Sequence, residues 1–162
     1  MGDTKTNNVT RAQVIEAARS YRNTPFKNGG RSRTGMDCVG LPIAIAADLQ
    51  VEGWQILVND IESNAYPKIR RPGFLKGKLD GYVDQGILRR FDREKVQPGD
   101  LVLRWIGFGR DHHVSILTSE VTMIEASNEP EARWPQGRVL LRIIDGRHYR
   151  SFVRGYQFAE VK

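Results

Sequence analysis

Residues Gly35–Leu49 read "GMDCVGLPIAIAADL" and hold the only cysteine of this 162-residue chain. Beyond Gly40 the stretch is almost wholly apolar, so the helix it forms must be surrounded by protein rather than lie on the surface. Pro42 fixes where that helix begins. A proline has no N–H to give the carbonyl of Cys38, so Cys38 is expected at the helix entrance or in a distorted first turn. In either place the thiol lies near the positive end of the helix dipole, which favours its thiolate. Burial statistics alone make a lone cysteine in such a setting a small core residue more often than a nucleophile. The rest of the chain has to decide between the two.

Upstream, residues 1–8 read as a flexible polar tail, and residues 9–162 as a single domain. The stretch "VTRAQVIEAARSY" opens a helix with Thr10 as its cap, Gln13 reaching back, and Val9 stapled onto Val14. Val14, Ala17, Ala18 and Tyr21 form its buried stripe. The glycine- and arginine-rich loop "NTPFKNGGRSRTG" then leads into the cysteine. Downstream, residues 51–72 read as irregular. "GFLKGKLDGYVDQG" predicts a short helix with Leu75, Leu79, Tyr82 and Val83 inward and Gly86 as its stop.

After it the period changes to two. "PGD" (98–100) turns into "LVLRWI", followed by "HHVSILT", "VTMIEAS", "RVLLRII" and "SFVRGYQF". These five strand-like runs with short connections predict an antiparallel sheet. Helices first and strands second place the chain in the α+β class.

Composition narrows the function. Hydrophobic content is 40% and charged content 27%, the profile of a globular protein rather than a disordered one. A single cysteine excludes an internal disulfide. The polar start has no apolar signal segment, no run is long enough to span a bilayer, and the loose fit of "MGDTKT" to a myristoylation pattern is discounted. The net charge of +6 favours an anionic partner. Its basic residues are scattered over several segments, which argues against a dedicated nucleic-acid reader. One cysteine and three dispersed histidines make no metal-ligand spacing, and no cofactor motif is present.

In "HHVSILT", alternation puts His113, Ser115 and Leu117 on one face and His112, Val114 and Ile116 on the other. A hairpin through residues 119–120 would bring the next strand alongside and set His113 roughly opposite Ala126. Glu125 would then lie within reach of the imidazole. A nucleophilic cysteine needs a favoured thiolate, a base and a group that orients the base. Cys38, His113 and Glu125 could supply the three.

The order of landmarks adds a resemblance. "ARSYRNTPFKNGGRSRTGMDCVGL" resembles the start of the NlpC family of cell-wall cysteine peptidases, whose pattern runs from a helix through a "GTPY-x-x-GG" loop to "G-x-DCSGL". That family then has "PGDLVFF", "HVGIYLG" and a strand ending in "IHA". Here the same order gives "QPGDLVLRW", "HVSILTS" and "MIEAS", over roughly residues 11–127. The look is closest to the phage-tail and gene-transfer-particle branch.

The resemblance implies a papain-like fold with the nucleophile helix packed on the sheet. It implies Cys38 as nucleophile, His113 as base with His112 as runner-up, and Glu125 as the orienting residue. His148 is expected to be a surface residue in a basic loop. Glu125 departs from the usual histidine, asparagine or glutamine. Phe26 replaces the tyrosine, Val39 the serine after the nucleophile, and Ser115 the glycine of "HVGI". Of the residues that grip a free amino end in relatives, only Asp37 remains beside Phe26 and Val39.

The expected function is a cysteine peptidase or amidase that hydrolyses an amide bond in peptidoglycan stem peptides or crossbridges. The backbone N–H of Cys38 is its expected oxyanion donor, and neither a metal nor a cofactor is expected. It is expected to act at the cell wall or periplasm, delivered by a virion or tail-like particle. The alternatives are a thiol acyltransferase of the same superfamily and a catalytically degenerate wall- or tail-binding protein.

Overall fold

The computed structural model describes residues 8–62, 73–106 and 111–162, with the side chains of 60–62, 111 and 112 outside the description. Most of the predicted tail therefore lies outside the described residues. The first helix, α1 (Arg11–Ser20), carries the expected capping box between Thr10 and Gln13. Val14, Ala18 and Tyr21 are buried and Ala17 packs beside them. A small hairpin follows, β1 (Arg31–Ser32) with β2 (Gly35–Met36), and then α2 (Gly40–Leu49), whose first seven residues are all buried.

Two glycines let the loop and α2 meet. A Cβ on Gly40 would stand 2.2 Å from the carbonyl oxygen of Gly30, and one on Gly30 would stand 2.4 Å from that of Gly35. The loop and the helix entrance thus touch backbone to backbone, which only glycine permits.

The expectation of irregular chain over 51–72 needs correction. Trp54–Glu62 forms α3, with Leu57 buried and Trp54 and Val58 packed against the core. Its β-branched residues are weak helix formers, so packing rather than propensity holds it. The remainder, 63–72, lies outside the described residues. Helix α4 (Phe74–Asp84) buries Leu75, Leu79 and Tyr82 as predicted. Gly86 ends it in the left-handed conformation, and the Ile87 N–H donates back to the Tyr82 carbonyl.

The strands follow: β3 (Leu88–Phe91), β4 (Leu101–Ile106), β5 (Asp111–Ser119), β6 (Thr122–Ser127) and β7 (Arg138–Ile143). A short helix, α5 (Gly146–Ser151), precedes the last strand, β8 (Phe152–Phe158). They form a six-stranded sheet in the order β3-β8-β4-β5-β6-β7, antiparallel throughout. The sixth strand, β3, is absent from the sequence reading. Its "LRRF" has two adjacent arginines in place of alternation, as suits an edge strand.

One sheet face, with Leu101, Leu103, Val114, Ile116, Ile124 and Ala126, joins α1 and α2 in the main core. The other face buries a smaller cluster of Val102, Leu117, Met123 and Phe152. By strand alternation, Arg104, His113, Ser115 and Glu125 belong to this second face.

The loop before the cysteine extends the sheet beyond β7. The N–H groups of Asn23 and Phe26 donate to the carbonyls of Val139 and Gly137, each at 2.9 Å, and Met36 bonds back to Pro25. The chain that reaches Cys38 is therefore tied to the sheet that carries His113.

Replacing Gly40 with alanine is expected to lower the urea midpoint by the equivalent of about 1–3 kcal/mol through overpacking. Replacing Gly77, which has open space around it on α4, is expected to raise it by up to about 1 kcal/mol. Equal effects of the two changes would refute the account of this backbone contact.

Candidate active site

Asp37 builds the entrance of α2. Its side chain is fully buried. Oδ1 accepts from the N–H groups of Val39 and Gly40 at 3.1 and 2.8 Å and from Arg31 Nη1 at 2.7 Å, while Oδ2 accepts from the Gly29 N–H at 2.8 Å. The Leu41 N–H bonds the Asp37 carbonyl, so Asp37 closes the turn that leads into α2 and Cys38 stands at the helix entrance, just before its cap Val39. Cys38 is 5% exposed. Val39 is buried in the core, and Phe26 is half-buried and packs on it.

His113 comes from the start of β5 and is 8% exposed. Its ring lies beside the Cys38 side chain and interacts with it. Nε2 lies 3.2 Å from Glu125 Oε2. That separation is within ion-pair range, but the N–H is not aimed well enough to count as a hydrogen bond. With Nε2 turned to Glu125, Nδ1 is the nitrogen left for sulfur. The side chain of His112 lies outside the described residues.

Glu125, 1% exposed, is held by more than the histidine. Oε2 accepts from Arg104 Nη2 and, at 2.8 Å, from Ser115 Oγ. Oε1 accepts from Arg142 Nε at 2.6 Å. Arg104 Nε also donates to Ser115 Oγ at 3.3 Å, and Arg142 Nη2 to Glu129 at 3.0 Å. The β5–β6 register pairs Ile116 with Ile124, which puts Ser115 opposite Glu125 and sets His113 at the level of Ser127 rather than of Ala126. The sequence reading was therefore one residue out. It also missed both arginines, whose only sequence signal is a cation interrupting an apolar strand.

Burial by itself would lower the pKa of His113. The Cys38 thiolate and then Glu125 outweigh burial and raise it to about 9. Burial would likewise raise the Glu125 carboxyl, but His113 and then Arg104 hold it well below the ordinary range. The arrangement can therefore hold a thiolate beside an imidazolium, with an ionised carboxylate behind the ring.

His148 lies on α5, not in a loop. It is partly covered and closes a capping box with Asp145, to which its Nδ1 bonds at 2.8 Å. Among the described residues no group of histidine, cysteine and carboxylates is arranged to hold a metal ion, and no helix is long and apolar enough to cross a membrane.

No protein-family model matches this chain, and no curated protein matches it. Solved structures do. The NlpC/p60 domain of the peptidoglycan hydrolase SagA aligns with a TM-score of 0.53 at 19% identity, covering 91% of this chain and 97% of that one. An NlpC/P60 family protein from Bacillus cereus gives 0.59 at 18% identity, covering 93% of this chain and 41% of that one. The peptidoglycan hydrolase RipB from Mycobacterium tuberculosis gives 0.53 at 18% identity, covering 98% and 72%. The chain has the NlpC/P60 papain-like fold.

The folded-state pKa of His113 lies above its ordinary value of 6.5, so the protonated ring stabilises the fold. That contribution is fully present below about pH 6.5 and is lost as the pH rises through about 9. Thermal unfolding midpoints should fall over this interval, and the fall should disappear in His113→Ala. A fall of equal size in that variant would refute the assignment.

Proposed function

We propose that this protein is a cysteine peptidase or amidase that hydrolyses an amide bond in a peptidoglycan stem peptide or crossbridge. One observation carries the reading. The chain's only cysteine stands at the entrance of a buried helix, beside a buried histidine that a buried carboxylate faces from behind. The fold shared with structures named as peptidoglycan hydrolases supports the choice of substrate class.

In this reading the Cys38 thiolate attacks the amide carbonyl, forming a C–S bond and a tetrahedral oxyanion. The Cys38 backbone N–H, at the positive end of α2, is one donor to that oxygen. The His113 imidazolium gives its proton to the leaving nitrogen as the C–N bond breaks, which leaves a thioester. A water then attacks the thioester carbonyl with His113 as base, releasing the acid and restoring the thiol–imidazole couple. Glu125 holds the ring and favours its charged form.

Asp37 reaches the site by fixing the helix entrance, since its oxygens already accept from the loop and the helix. Phe26 and Val39 contribute apolar surface where relatives have hydroxyls, which favours a substrate other than a free amino end. The charge of +6 draws the enzyme toward an anionic wall, and that attraction fades with salt. Delivery on a virion or tail-like particle is the companion proposal and rests on the landmark order alone.

Cys38→Ala is expected to abolish release of new amino ends from purified cell walls with its circular dichroism unchanged. His113→Ala should reduce the rate by about 10²-fold or more. Activity of the native enzyme should decline above about pH 9, as His113 loses the proton it gives the leaving group. A fully active Cys38→Ala would sink the mechanism. Product formed only with an added amine acceptor would assign acyl transfer instead. An inert Cys38 that iodoacetamide alkylates like a free thiol would leave a wall- or tail-binding protein.

A further inference from the structure

Three departures from the resembling sequence pattern meet at one point in space. Arg104 stands where "PGDLVFF" has its last phenylalanine, Ser115 where "HVGI" has glycine, and Glu125 where the orienting residue is usually neutral. In the structure these three side chains are bonded to one another, and Arg142 closes the group from β7. We propose that Arg104 and Arg142 are positioning residues that set the alkaline limit of the Cys38–His113 couple by drawing on the Glu125 carboxylate that faces the imidazole. The inference rests on the reading of Cys38 and His113 given above and extends it to the residues behind them.

The geometry carries the argument. Glu125 Oε2, the oxygen nearest His113, already accepts from Arg104 and Ser115, and Nε2 at 3.2 Å is not well directed toward it. Oε1 is taken by Arg142. A bare buried carboxylate against an imidazolium would hold the proton so tightly that the ring became a poor acid for the leaving amine. Two guanidinium groups on that carboxylate weaken its hold, and Arg104 is the residue paired with His113 across β4 and β5.

The groups that face His113 act in opposite directions. Cys38 and Glu125 favour its protonation and burial opposes it, while Arg104 acts through the Glu125 carboxylate it shares. Ser115 is neutral and fixes the carboxylate, and Arg142 acts through Glu125. Asp37 and Arg31 pair with each other at the helix entrance. The side chains of Asp111 and His112 lie outside the described residues.

The test is the titration of the His113 imidazole, followed by NMR in intact, histidine-labelled protein, together with the pH profile of cell-wall hydrolysis. Arg142 is the safer target, because its side chain is 21% exposed against 9% for Arg104. In Arg142→Gln the midpoint and the alkaline limb are expected to move upward together by about half a pH unit or more. In Arg142→Lys, which keeps the charge, both should stay in place, and in Glu125→Gln both should move downward. Arg104→Gln should act like Arg142→Gln wherever it folds.

A loss of rate in Arg142→Gln with midpoint and limb unmoved would make the arginine merely structural and overturn the proposal. The Cys38–His113 mechanism would survive that result. A Cys38 thiol that alkylates with an ordinary pH dependence, indifferent to His113→Ala, would instead overturn the mechanism, and this inference with it.

Discussion

The buried carboxylate of Asp37 is the constraint on which the site depends. It accepts hydrogen bonds from the glycine loop, from the N–H groups of Val39 and Gly40 at the entrance of α2 and from Arg31. A fully buried carboxylate is costly unless every lone pair finds a donor, and these donors lie on two separate segments. Satisfying the charge therefore forces the loop onto the helix entrance. Gly30 and Gly40 make the contact sterically possible, and Cys38 has no freedom left in its placement.

A second buried carboxylate organises the other half of the site. Desolvating Glu125 and Arg104 together is expensive, and an apolar pair of the same size would fold at least as well. Such a cluster earns no stability argument on its own. What it does provide is direction: a carboxylate bonded on both oxygens cannot swing, so the face of His113 that meets it is fixed. The two halves meet at the thiol–imidazole contact, one hung on α2 and the other on the sheet, and the loop paired with β7 keeps them in register.

The fold permits this arrangement without specifying its use. At 18–19% identity the likeness to NlpC/P60 structures is one of architecture, and architecture hosts many activities. The function is argued from charge and geometry at Cys38, His113 and Glu125. The substituted residues around them, Phe26, Val39, Ser115 and Arg104, are where this chain differs from the pattern it resembles. They alter what surrounds the thiol while leaving the thiol and imidazole in contact.

Local chemistry wrote much of this protein into its sequence. The Thr10–Gln13 box, the apolar run after Gly40, the block at Pro42, the stop at Gly86 and the five alternating runs each act over a few residues, so each is legible without a structure. The cysteine's place at a helix entrance and the presence of an imidazole and a carboxylate on neighbouring strands were legible for the same reason. Helix α3 and strand β3 were not, because their residues take those shapes only when packed. The register that faces Glu125 with Ser115, and the convergence of Arg104 and Arg142 on one carboxylate, depend on pairings between strands far apart in the chain. Only the tertiary structure decides these, because a buried charge chooses its partners among whatever the fold brings within hydrogen-bonding distance.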